Sequence, residues 1–223
     1  ISFPFVGEAA FDALGLPADD VLRRTVRLAN PLSWEEPSYT TTLLPGLFKQ
    51  AARNLGRGAQ GLALFEIGTV AFPVDRGPAP IYGVDWRPSE AELAKLFAAV
   101  PEQPQFLAAV VTGERERSGW WGAGREAGWA DAVGLVHRVA DELDVEMTVE
   151  AATRMPWHPG RCARFAVGGE EFGHAGELHP RVCQAFGLPP RTAAVEIDLD
   201  FLLARAVDVL PAPSFSTYPV ARE

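Results

Sequence analysis

The chain has 223 residues, 48% of them hydrophobic, which is enough to bury a sizeable core and excludes wholesale disorder. Its formal charge of −9, from 29 acidic and 20 basic residues, argues against broad phosphate-driven nucleic-acid binding by this segment. Two cysteines, Cys162 and Cys183, are too few for a disulfide framework and read as reduced, partly buried thiols. No apolar run approaches the ~18 residues that span a bilayer, and the start Ile1-Ser2-Phe3-Pro4-Phe5 has no basic n-region of a signal peptide. Both ends are expected to be cut from a longer chain.

Along the chain, Ala9–Leu14 predicts a turn or two of helix, stopped by Gly15 and Pro17. Val26–Ala29 reads as a short strand closed by the turn dipeptide Asn30-Pro31. The strongest local signal comes next. Thr40, Thr41 and Thr42 offer N-cap hydroxyls, and Pro45 falls in the first turn, where a missing N–H is harmless. Leu44, Leu47, Phe48, Ala51 and Leu55 recur at helical spacing, with Gly56 and Gly58 as the stop. A helix over about 43–55 is expected. The following run, residues 62–72, is apolar on both faces apart from Glu66, the mark of a central strand covered on both sides. A carboxylate there needs a structural partner, such as an arginine.

Residues 73–104 are rich in proline and charge and read as a surface insertion. It holds one short helix, with the capping-box pair Ser89 and Glu92. Phe106–Thr112 is a second core strand; residues 113–128 read as a glycine-rich loop. Asp131 is expected to cap a helix reaching Leu143, and Val145–Val149 to form a strand. Gly168-Gly169 marks a hairpin between Cys162–Val167 and Phe172–Ala175. Pro180–Phe186 reads as a helix ended by Gly187. Ala193–Leu199 is a strand, and Asp200 caps a final helix through Ala204. Residues 1–212 are taken as one domain, and the proline-rich segment 213–223 as a linker. The fold class is α+β, an antiparallel or mixed sheet flanked by helices, without Rossmann alternation.

Few residues mark chemistry. Gly122-Ala123-Gly124 lacks the spacing of a phosphate loop, so the default is a flexible loop carrying Trp120, Trp121 and Trp129 as core plugs or partner contacts. His158, Cys162, His174, His179 and Cys183 share one stretch but match no zinc spacing; a zinc enzyme built on them is the rival reading that metal analysis would test. No Gly-x-Ser-x-Gly elbow is present.

Several motifs occur in a telling order: Arg27-Leu28-Ala29-Asn30-Pro31-Leu32-Ser33, Thr42-Leu43-Leu44-Pro45-Gly46-Leu47, Leu64-Phe65-Glu66-Ile67-Gly68, His158-Pro159-Gly160-Arg161 and Gly176-Glu177-Leu178-His179-Pro180. Together, with the closing Tyr218-Pro219, they resemble the bacterial phenylalanyl-tRNA synthetase beta chain over nearly the whole length. The resemblance implies a class II synthetase-like domain without catalytic residues of its own. It implies a cytoplasmic α2β2 heterotetramer that charges tRNA with phenylalanine, with ATP and magnesium held at the alpha subunit and no cofactor or metal in this segment. The partners implied are that alpha subunit and, through the holoenzyme, tRNA; no membrane is implied. Under it, Leu44, Leu47, Phe48, Ala51 and Leu55 are interface as well as core. Glu66, His158, Arg161, Glu177 and His179 are structural hydrogen-bonding residues, and the segment alone is inactive. Arg161 stands roughly where a class II site holds its first phosphate-binding arginine, and the second has no candidate. Where the family often has Met-Arg, this chain has Tyr39-Thr40, so an ionic contact of that arginine is missing. Editing and anticodon recognition are not credited to these residues. The alternative is a stand-alone class II-like protein-interaction module.

Overall fold

The structure, a computed structural model, describes residues 3–75, 77, 79–207 and 209. In chain order it holds β1 (Phe5–Val6), α1 (Glu8–Ala13), a 3-10 turn (Val21–Arg23), β2 (Ser38–Tyr39), α2 (Leu44–Leu55), β3 (Gly61–Thr69), α3 (Glu90–Ala98) and β4 (Gln105–Glu116). There follow β5 (Arg125–Glu126), α4 (Trp129–Glu142), β6 (Thr148–Ala151), β7 (Trp157–Val167), β8 (Glu170–Leu178), α5 (Pro180–Phe186), β9 (Ala193–Asp198) and α6 (Leu199–Leu203). The main sheet runs β3-β4-β9-β8-β7-β6, with β5 added to β4, and β1 and β2 pair separately. Every pairing is antiparallel, which settles the antiparallel-or-mixed expectation.

Strand alternation divides the core in two. Ala108, Val110 and Ala194 face Leu44, Phe48 and Val182, from α2 and α5. Their neighbours Ala109, Val111, Val195 and Ile197 face the other way, onto Ala132 and Val136 of α4. The hairpin between β7 and β8 turns at Gly168 and Gly169, with φ of 60° and 88°, as the sequence predicts. α5 spans the predicted residues and ends at Gly187 in the left-handed conformation that a side chain disfavours. At the start of the β3–β4 ladder Gly61 opposes Gly113, whose φ is +69°. A Cβ on Gly113 would lie 2.1 Å from the Gln60 carbonyl oxygen, so two backbones meet where only glycine fits.

Several expectations need correction. β3 is not a central strand: it is the outermost strand, with Ala63, Phe65, Ile67 and Thr69 exposed on one face. The centre belongs to β9 and β8, and β9 pairs with β4 from about 80 residues earlier in the chain. Residues 26–29 form no strand, only the bridge between Arg27 and Ser38. The 113–128 loop is shorter than expected, because β4 runs on to Glu116 and is met by β5. α4 starts before Asp131, which accepts a hydrogen bond from the Gly128 N–H, and the next strand starts at Thr148. The α6 cap is Asp198, not Asp200; Asp200 instead accepts from the Gln105 N–H. The helix inside the 73–104 segment is present as α3, where the Glu92 carboxylate accepts from the N–H and hydroxyl of Ser89. The segment 213–223 lies outside the described residues.

Candidate functional site

The register lines up one row of residues across a single face of the sheet: Glu66, Ala108, Glu196, His174, Arg164 and Glu150, one from each of six strands. Its centre is buried. Glu196 accepts from the Thr42 hydroxyl, 2.8 and 2.9 Å from its two oxygens, and from the Leu43 N–H at 2.7 Å. Thr42 Oγ1 in turn accepts from the Leu44 N–H at 3.3 Å. A carboxylate from the sheet therefore closes the first turn of α2, where unpaired N–H groups and the helix dipole favour negative charge. Even so, removal from water dominates, and burial pushes the Glu196 carboxyl up to about 7.

His174, 6% exposed, is its neighbour on β8. Its ring stacks on Trp157 at 5.5 Å between centroids, and the Trp157 indole N–H donates to the Ala194 carbonyl at 3.0 Å. Burial first, then the nearby Arg154 and Arg164 cations, push the imidazole down to about 4, so it is neutral at physiological pH. Above these side chains opens a cavity of about 300 Å³, walled by Leu44, Phe106, Met155 and Trp157 and also lined by Arg154. Arg154 makes no ion pair among the described residues.

The residues singled out in the sequence fall elsewhere. Glu66 is half-buried on the edge strand and has no arginine partner among the described residues, because the strand itself is not central. Arg161 donates to Glu177, whose other oxygen is buried without a hydrogen-bond partner; Arg191 Nε stands 3.8 Å from it. His158 and His179 stack on one another at 6.4 Å. Each uses Nδ1 to accept a backbone N–H, from Gly160 and Arg181 respectively. Cys162 and Cys183 are buried, and burial pushes both thiols up, Cys162 to about 11. Among the described residues no three His, Cys, Asp or Glu converge as metal ligands.

Leu44, Leu47, Phe48 and Ala51 are buried in the chain's own core, and the partly buried Leu55 packs against it. Trp120 is 94% exposed and packs edge-on to Trp121, so neither plugs the core; Trp129, at the start of α4, is also exposed. The sequence reading weighed His174 only as a metal ligand and passed over Glu196. The signal was present, since Glu196 is the one charge within Ala193–Ile197, but it equals the signal at Glu66. Only strand order tells the two apart.

Residues 1–199 match the family described as the phenylalanyl tRNA synthetase beta chain CLM domain. The chain belongs to that family. The whole chain is 53% identical to the phenylalanine–tRNA ligase beta subunit of Thermobifida fusca and 51% identical to that of Streptomyces avermitilis, covering 27% of each. The protein of that name in Cutibacterium acnes is 46% identical over the whole chain, again across 27% of its length. The CLM domain therefore spans about a quarter of the curated relatives it matches. Within it, Thr42 and Leu44–Leu47 secure α2 to the sheet, while Leu64–Gly68 lies on β3, one of the sheet's two end strands among the described residues.

Proposed function

We propose that this CLM domain is a non-catalytic core element of a phenylalanine–tRNA ligase beta subunit, with a class II synthetase-like fold, that packs on the ligase's alpha subunit. The observation that carries the reading is the outer edge of β3. Phe65 and Ile67 are 73% and 51% exposed there, on a nine-residue strand whose far side has no strand partner among the described residues. Such an edge invites pairing with another chain. Beside it lies a groove of about 660 Å³ between β1 and α2, lined by Phe5, Leu47, Lys49 and Gln50. An apolar strip with a polar rim is the anatomy of a protein interface.

The site chemistry supports the non-catalytic part. Adenylate formation concentrates negative charge that cations must offset. The cavity over the sheet sets the single cation Arg154 against Glu171, Glu196 and Asp198, and Glu196 is engaged by α2. ATP, magnesium and phenylalanine would then belong to the alpha subunit, and tRNA would be met through the cytoplasmic holoenzyme. No helix among the described residues is long and apolar enough to cross a membrane.

The test is co-elution of the chain with an alpha subunit from the same source. Wild type is expected to co-elute. Phe65→Asp with Ile67→Asp is expected to elute alone while keeping the wild-type circular dichroism. Co-elution that survives the double substitution would refute the edge-strand reading.

A further inference from the structure

We propose that the cavity above Glu196 and His174 binds a small organic ammonium ion with an apolar body, independently of how the domain assembles. The cavity is chemically one-sided. Leu44, Phe106, Met155 and Trp157 give it apolar walls, and the sheet strands β8 and β9 contribute Glu171, His174, Glu196 and Asp198. His174 is more than nine-tenths buried; its Nδ1 stands 3.6 Å from Glu171 Oε1, and no hydrogen bond to its ring is formed among the described residues. Held neutral by burial, the ring keeps one nitrogen as an acceptor, and His174 lines the cavity. Glu196 beside it receives the Thr42 hydroxyl and the Leu43 N–H. A carboxylate has about four acceptor positions, so capacity remains for further donors.

An ammonium group carries three donors on one charged centre, which suits this pair of acceptors. The sign of the lining agrees: carboxylates of Glu171, Glu196 and Asp198 face one guanidinium, that of Arg154. An anion would meet those carboxylates, and a bare divalent cation would find no set of three ligands among the described residues. The volume of about 300 Å³ sits at the small end of small-molecule sites, and the aromatic residues Phe72, Phe106, Trp157 and Phe172 are among its lining. A flat apolar body matches such walls.

The experiment is isothermal titration of the full chain at pH 8 with 2-phenylethylamine and, in parallel, with 2-phenylethanol and 3-phenylpropionate. The three probes share a body and differ in head-group charge. The expected result is saturable binding of the amine, at least about tenfold tighter than the alcohol, and none of the carboxylate. Glu196→Gln retains acceptors for Thr42 and Leu43 and is expected to weaken the amine about tenfold without changing alcohol binding. Equal binding of amine and alcohol would reduce the cavity to a hydrophobic hole and overturn the proposal. So would a lack of saturation by the amine at about 10 mM, a concentration that still detects weak sites. The comparison of probes on the wild-type chain keeps the test decisive even if Glu196→Gln folds poorly.

Discussion

Replacing Glu196 by glutamine tests the burial argument at the centre of the sheet. The carboxyl ordinarily titrates at 4.5 and is pushed up to about 7 in the folded chain. Between those values the folded state holds a proton that the unfolded state releases. Its contribution is therefore full below pH 4.5 and is lost as pH rises through 7. One pH unit in that window is worth about 1.4 kcal/mol, so the whole window is worth about 3 kcal/mol. Glutamine can accept from Thr42 and Leu43 but does not titrate, so the variant should lack this fall. The assay is urea unfolding of both chains at pH 4.5 and 7.5, followed by fluorescence of the six tryptophans. The variant's stability relative to wild type should rise by about 3 kcal/mol from the lower pH to the higher. A difference that stays constant with pH would mean that Glu196 ionises at its ordinary value, and the reasoning would fail.

His174 carries the opposite sign. Its pKa falls from 6.5 to about 4, so its contribution is present above 6.5 and is lost as pH falls towards 4; His174→Gln should remove about 3 kcal/mol of that acid sensitivity in the same assay. Because the two windows overlap between pH 4.5 and 6.5, these groups nearly cancel there in the wild-type chain. Phe48→Ala, at a fully buried site, should cost about 3–5 kcal/mol in urea titration, whereas Phe65→Asp on the exposed edge should cost about 0.5 kcal/mol or less. Gly187→Ala should cost about 1 kcal/mol for its left-handed backbone alone, since nothing lies near an added Cβ. Gly113→Ala should cost about 2 kcal/mol or more, because strain is joined by the clash with Gln60; equal losses at the two glycines would contradict the close-approach reading.

What the sequence made legible was local. The apolar spacing Leu44–Phe48–Ala51 with Pro45 behind a run of threonines located α2, and Pro180 with Gly187 bounded α5. The double glycine located the hairpin. What stayed hidden depends on which strands neighbour one another. Residues 61–69 are apolar on both faces, a pattern that reads as central, yet the strand is an edge. Under the assembly reading, Phe65 and Ile67 are apolar for a partner rather than for this chain's core. Glu66 and Glu196 carry the same signature, one charge in an apolar strand, and only the second is buried; its donor Thr42 lies 154 residues away. The threonine run marked where α2 begins, but the N-cap is Leu43, whose N–H donates to the distant carboxylate of Glu196. His174 looked like a member of a histidine–cysteine cluster, and its stacking on Trp157 has no sequence signature.

Amide hydrogen exchange of the chain, with and without the alpha subunit, tests the assembly claim most directly. Protection is predicted to rise along β3, Gly61–Thr69, and along the α2 side of the adjoining groove, with α4 and the opposite edge β6 unchanged. Protection that appears at β6 or α4 while β3 exchanges as in the free chain would contradict the account.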